Sequence, residues 1–319
     1  MSGVGCNRQR ISGWLDRLLD PSCQADEQIA VANAWLEDWL ALLEVEIEGE
    51  FADDLPLPGG LAVSPLTAAR CLSDAYRTSQ FLRAVDAAIA GALTRFPGET
   101  IEVLEAGCGP LAPLSLPFAV RYAGRPVRFT LLDARLLSLE AAMRLAAHLG
   151  VSEAVEPLHG DATALVLPKP PHVIACEMIQ RGLTREPQAA ATLNLGPQLK
   201  PGGVFLPAAV TVRAGLFNAA AHYGAGESGV QDLGPVAVLT PAGLNLPERI
   251  RIPAHEAGAV LSLLTTIRLD ETHVIGDFEA VITLPEQIDG PPGLAGGGGW
   301  AGVGFDLGPS PGPRLNWPA

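Results

Sequence analysis

Apolar side chains recur at helical spacing near the start of the chain. Ile11, Trp14, Leu15, Leu18 and Leu19 share one face, and Ile29, Ala32, Trp35, Leu36, Trp39, Leu40 and Leu43 share another. The pattern predicts helices over residues 8–48, forming an N-terminal helical arm within residues 1–60. Its tryptophans would pack either on the chain's own core or against a second copy. Asp53 to Gly60, with prolines and two glycines, reads as a loop. Ser64-Pro65 combines a capping hydroxyl with a proline suited to a first helical turn. The helix it starts carries Asp74 to Phe81 and runs to about Ala90.

From about residue 100 the period changes. Short apolar runs at 101–105, 127–132, 155–158, 172–176 and 203–206 alternate with helical runs, as parallel βαβ units do. Beyond Pro207, runs at 210–214, 237–239, 249–252, 262–269 and 278–284 are separated by glycine and proline turns and read as strands. The division expected is a helical arm (1–60), an α/β domain (61–207) and a β-rich domain (208–319). The Gly/Pro-rich tail, 290–299 and 309–313, reads as loop or edge strand.

Composition narrows the function. The chain has 319 residues, 48% of them hydrophobic, a mean hydropathy of +0.25 and a net charge of −14. That supports a substantial core. It argues against a nucleic-acid partner, since no Lys/Arg cluster offsets the negative charge. No apolar run is long enough to span a bilayer, and the first residues lack a secretory pattern, so no membrane partner and a cytoplasmic location are expected. The five cysteines are scattered with no CxxC pair, which indicates neither a disulfide framework nor a metal site.

The chemistry concentrates after residue 100. Val103-Leu104-Glu105-Ala106-Gly107-Cys108-Gly109-Pro110 is an apolar run ending in an acid and a glycine turn. A second run, Phe129 to Leu132, ends in Asp133, 24 residues after Gly109. A doubly wound domain builds a ribose-binding pocket in this way. Gly107 to Ala112 also fits G-x-G-x-x-A, so a nicotinamide cofactor is in contention. Three details favour S-adenosylmethionine (SAM). Glu105 precedes the turn where an aminoacyl contact is wanted. Pro110 and Pro113 disturb the helix start that would receive a pyrophosphate. Gly160-Asp161-Ala162 can set an acid and an amide against an adenine edge, although Asp161 is also a plausible helix cap. The succession closely resembles the class I SAM-dependent methyltransferases. That resemblance implies that Glu105, Gly107 and Gly109 line the methionine part, Asp133 takes the ribose, and Asp161 or Ala162 faces adenine.

Two further acids follow the fourth run: Glu177, in Cys176-Glu177-Met178, and Glu186, nine residues later beyond a loop containing Gly182. Two carboxylates held across a loop can clamp a planar guanidinium; alternatively Glu186 pairs with Arg181 or Arg185. The pair resembles the double-glutamate loop of the protein arginine methyltransferases. Asp74-Ala75-Tyr76-Arg77-Thr78 resembles that family's N-terminal helix, and Leu199 to Pro207 its strand leading into a β domain. The resemblance spans about residues 64–210. It implies a Rossmann-like class I methyltransferase domain with N-terminal helices and a C-terminal all-β domain. It also implies that Arg77 contacts the SAM carboxylate and that Glu177 and Glu186 bind and activate the acceptor; helix position puts Tyr76 near them, and the second-copy reading of the tryptophans makes a homodimer the expected state. Cys176, Met178 and Pro187 depart from the family pattern, and no Thr-His-Trp loop is evident; His273 is a candidate proton acceptor by residue type only and reads first as a structural histidine. These departures, with only about 110 residues after Pro207, suit a small-molecule guanidine. A free L-arginine Nω-methyltransferase of the streptozotocin-pathway type is the activity they suggest. Another small-molecule methyltransferase, a SAM-cyclising azetidine-carboxylate synthase and a SAM-binding regulator are the rivals.

Overall fold

The computed structural model of the chain describes residues 3–43, 51–224, 229–255, 258–288 and 298–317. Two helices, α1 (Gly3–Leu19) and α2 (Ala25–Leu43), come first. A hairpin of β1 (Leu55–Leu57) and β2 (Gly60–Ala62) and the short α3 (Pro65–Arg70) precede the long α4 (Ala75–Arg95). Then β3 (Ile101–Ala106), α5 (Leu116–Arg121), β4 (Val127–Asp133), α6 (Leu136–His148), β5 (Val155–His159), β6 (Val173–Cys176), α7 (Gln188–Leu195) and β7 (Val204–Leu206) complete the α/β part.

Its sheet is parallel, in the order β5-β4-β3-β6-β7. The order reverses direction at β3, so the first strand and its neighbours β4 and β6 open a crevice at their C-terminal ends. Covered on both faces, the central strands are almost continuously apolar: Val103 is flanked by Phe129 and Val173. All five strands expected from the sequence are present. The helix expected from Ser64 onward is broken in two. Ser64 Oγ accepts a hydrogen bond from the Thr67 amide at 3.1 Å, and Asp74 sits at the start of α4.

The N-terminal helices are not a detached arm. They pack against α4, α5 and α6, and Trp35 and Trp39 are fully buried in the same core as Phe81, Phe118 and Phe129. Trp35 lies edge-on to Trp39, with centroids 5.1 Å apart, and stacks on Trp14. Arg83 of α4 donates to the Leu18 and Asp20 carbonyls at 3.0 and 2.9 Å, satisfying backbone acceptors at the end of α1. The tryptophans offered to a partner are thus taken up by the chain's own core. Residues 44–48 of the expected helical run lie outside the described residues, and the span read as a loop before Gly60 contains the hairpin.

The C-terminal region holds β8 (Ala209–Phe217), the short α8 (Ala219–Gly224), β9 (Val230–Thr240), β10 (Gly243–Asn245), β11 (Arg249–Ile252), β12 (Val260–Arg268), β13 (Val274–Ile275), β14 (Glu286–Gln287), β15 (Gly299–Asp306) and β16 (Gly312–Asn316). One antiparallel sheet runs β10-β9-β8-β12-β13, with β14 also on β12. A second runs β11-β15-β16. The strand expected at 278–284 is instead a turn with a single 3₁₀ segment at Val281–Thr283. Local side-chain bonds compete with a ladder there: the Gly276 amide donates to Glu279 Oε2 at 2.6 Å, and the Ala280 amide to Thr283 Oγ1 at 3.1 Å. Of the tail read as loop or edge strand, 290–297 lies outside the described residues, while Gly299 opens β15 and Gly312-Pro313 opens β16. No helix among the described residues is long and apolar enough to cross a membrane.

Candidate active site

The strand ends, the start of α4, the hairpin and the loop after β6 enclose one cavity of about 1080 Å³, its open mouth included. On one wall, β3 delivers Glu105 and the turn after it delivers Gly107 and Gly109, both with positive φ (74° and 60°). The turn does not run straight into a helix; α5 begins only at Leu116, as Pro110 and Pro113 suggested. Asp133 stands at the end of β4. Its Oδ2 accepts from the Gly109 amide at 2.9 Å and its Oδ1 from the Arg135 amide at 2.8 Å. Each oxygen keeps a lone pair for a further donor. Asp161 and Ala162 line the same wall beyond β5. Asp161 also caps its own turn, accepting from the Thr163 amide and hydroxyl at 2.9 and 2.8 Å, so the capping and lining readings hold together.

Glu105 is nearly inaccessible. Its Oε1 accepts from the Leu114 amide at 3.2 Å, while Oε2 is buried with no partner. Burial pushes its carboxyl up to about 8. A buried oxygen without a donor is costly, and an ammonium group entering the cavity would relieve that cost. The residues therefore fit SAM: a carboxylate for an ammonium, an amide-braced aspartate for a ribose diol, and glycines that let a ligand lie against backbone.

On the opposite wall Glu177 directly follows β6. Gln188 braces this strand end from α7, its Oε1 accepting from the Met178 amide at 2.9 Å and its Nε2 donating to the Cys176 carbonyl at 3.1 Å. Arg77 reaches in from α4 and its Nη2 forms a buried ion pair with Glu177 Oε2. Burial opposes the Arg77 charge most, but Glu177, Cys71 and Asp74 together outweigh it and hold the guanidinium protonated. The other oxygen, Glu177 Oε1, is buried without a partner. Burial raises the Glu177 carboxyl despite Arg77. Glu186 lines the same cavity, pushed up to about 7 by burial first and by the Glu177 charge second.

The loop joining the two acids is held in costly conformations. Leu183 and Arg185 adopt φ of 56° and 65°, a region that non-glycine residues rarely enter. The β-rich region holds it: the Gly182 amide donates to Thr265 Oγ1 of β12 at 2.8 Å, and Arg181 pairs with Glu286 at 3.2 Å. Arg181 is thus committed to Glu286 rather than to Glu186.

One cavity therefore gathers Arg77, Glu105, Gly107, Gly109, Asp133, Asp161, Ala162, Glu177 and Glu186. One expectation is corrected. Tyr76 does not line it; successive residues on a helix diverge by about 100°, and with Arg77 directed inward the Tyr76 hydroxyl lies beside Glu279. His273 is likewise outside, paired with Asp270 at 2.8 Å in its own turn. The sequence reading missed Cys71, which lines the cavity beside Arg77, and the hairpin, whose Leu57 and Leu61 form part of the wall. A cysteine in a short helical turn carries no local signal. The hairpin's Pro58-Gly59 turn gave no hairpin signal, because proline cannot take the positive φ that the favoured two-residue hairpin turns require.

No family model matches the chain, and no curated protein sequence does. Among solved structures, it is similar to the Trypanosoma brucei PRMT1 enzyme-prozyme heterotetrameric complex with AdoHcy, at 13% identity and a TM-score of 0.48 over 74% of this chain and 87% of that one. At that distance the chemistry has to be read from the cavity itself.

Proposed function

We propose that the chain is a SAM-dependent N-methyltransferase acting on the guanidino group of free L-arginine or another small guanidine. The observation that carries this is the half-filled acid pair: Glu177 already holds one guanidinium, that of Arg77, through one oxygen, while its second oxygen is buried without a partner and Glu186 lines the same cavity. A second planar guanidinium fits that need better than a neutral acceptor, because paired charge offsets the desolvation of both carboxylates.

When bound, SAM supplies an electrophilic methyl group on a sulfonium. In this reading Glu105 binds its ammonium, Asp133 its ribose hydroxyls, Asp161 and Ala162 its adenine edge, and Gly107 and Gly109 admit it against the backbone. Arg77 contacts the carboxylate while remaining paired with Glu177. Glu177 and Glu186 draw positive charge onto the nitrogens they bind, leaving the attacking nitrogen richer in electrons. Orientation supplies much of the rest, since aligning two reactants contributes about 7–11 kcal/mol. Methylating a guanidinium releases one proton, and Glu186, which burial and the Glu177 charge raise in the free protein, is the acid assigned to accept it from the nitrogen it binds.

Incubating the protein with SAM and L-arginine should yield S-adenosylhomocysteine and methylarginine by mass spectrometry. If Glu177→Gln and Glu186→Gln both retain full activity, the clamp is wrong. Methylthioadenosine as the nucleoside product would mean that SAM itself is cyclised.

A further inference from the structure

The β1–β2 hairpin contributes Leu57 and Leu61 to the cavity wall, and its turn lies behind them. The two glycines of that turn are both buried and meet different neighbours. A Cβ on Gly59 would meet the Thr163 methyl at 2.9 Å, on the segment whose amide and hydroxyl brace Asp161, and less closely the Ala190 methyl of α7 at 3.3 Å. A Cβ on Gly60 would meet the Arg185 carbonyl oxygen at 2.8 Å and the Pro187 nitrogen at 2.9 Å, the backbone on either side of Glu186. Gly60 also has φ of +143°, which side chains rarely adopt. Next to it, the Leu61 amide donates to the Arg185 carbonyl at 2.7 Å, directed at the loop rather than along the hairpin. Arg185 is itself strained. The hairpin therefore touches the main chain that carries Glu186 and the side chain that steadies Asp161.

We propose that Gly59-Gly60 is a two-sided spacer: Gly60, with the Leu61 amide, is the positioning element for Glu186, and Gly59 is the positioning element for the Asp161 turn. The role assigned to each acid rests on the methyl-transfer reading above; the spacing does not. Each glycine lets the hairpin approach one half-site at a separation that any side chain would widen. The two neighbours differ in compliance. Gly60 meets backbone, which cannot yield without moving Glu186. Gly59 meets side-chain methyl groups only, Thr163 at 2.9 Å and Ala190 at 3.3 Å; a serine at 163 would remove the closer one while keeping the hydroxyl bonded to Asp161.

The test combines S-adenosylhomocysteine calorimetry, NMR titration of the Glu186 carboxyl assigned by Glu186→Gln, and steady-state kinetics with L-arginine. Gly59→Ala should weaken S-adenosylhomocysteine by about tenfold, leave the Glu186 titration in place and be restored by adding Thr163→Ser. Gly60→Ala should do the reverse: the Glu186 titration moves from near 7 toward the ordinary range and the arginine KM rises by about tenfold, with S-adenosylhomocysteine affinity held. A merely structural hairpin would instead weaken both half-sites together. That result, or failure of Thr163→Ser to restore Gly59→Ala, overturns the proposal. If Gly60→Ala does not fold, the Gly59→Ala and Thr163→Ser pair decides alone. If the parent binds S-adenosylhomocysteine but does not methylate arginine, the acceptor reading fails while calorimetry and NMR still judge the spacer.

Discussion

The two walls of the cavity are built in contrasting ways. The wall bearing Glu105, Gly107, Gly109, Asp133 and Asp161 comes from the ends of three adjacent parallel strands, and its acids are steadied by nearby backbone amides. The wall bearing Glu177 and Glu186 is assembled from distant parts: Arg77 from α4, Gln188 from α7, Thr265 from β12 and Leu61 from the hairpin. Its loop also carries two residues in strained backbone. The first wall follows from making the sheet. The second exists only once the helices, the hairpin and the β-rich region have docked. It should be easier to break, and its breakage should reach further.

The largest effect should come from the buried ion pair. Arg77→Ala leaves Glu177 in the interior without its cation and should cost about 3–5 kcal/mol of stability in denaturant unfolding; a loss below about 1 kcal/mol would show that Glu177 finds water or another partner. Glu186→Gln removes a charge without disturbing that pair. Turnover with arginine should fall about 10²–10³-fold, while S-adenosylhomocysteine binding and unfolding midpoint stay near those of the parent.

Gly107→Ala probes where the walls meet, since a Cβ there would lie 2.4 Å from the Met178 side chain, the residue after Glu177, at a φ of +74°. About 1–3 kcal/mol of stability should be lost. If both halves weaken together, the walls are coupled through this contact; if only S-adenosylhomocysteine binding suffers, Met178 yields and the acceptor side is insulated.

The smallest change is one of pH. Glu105 keeps its proton up to about 8 in the folded chain, against an ordinary 4.5. Its contribution to stability is therefore complete below 4.5 and is lost as pH rises through 8. Because an ammonium needs the ionised carboxylate, S-adenosylhomocysteine affinity should strengthen a few-fold between pH 7 and 8, and Glu105→Gln should flatten both slopes. Calorimetry at the two pH values checks this; an equally steep profile in the variant would assign the proton elsewhere.

The legibility of the site follows the same division. Every residue proposed for the cofactor side lines the cavity, because strand, turn and acid there are consecutive in sequence and the parallel sheet aligns the strand ends. Glu177 and Glu186 were visible as a spaced pair, but Arg77 lying on Glu177 was not, since helix α4 and strand β6 are about 100 residues apart. Tyr76 was misplaced because sequence adjacency to Arg77 says nothing about which way each points. The stretch at 278–284 was misread because its apolar content fits a strand while Gly276, Glu279 and Thr283 satisfy one another locally.

By itself, the sequence determined the parallel sheet, the glycine turn and the set of acids, all products of short-range periodicity and turn chemistry. Tertiary structure decided what those acids meet: that the N-terminal tryptophans join the chain's own core, that Glu177 holds an arginine of its own chain, that Glu186 is raised by burial, and that a two-glycine turn packs against the backbone carrying Glu186. Burial and charge pairing depend on which segments dock together, and no local pattern of residues encodes that.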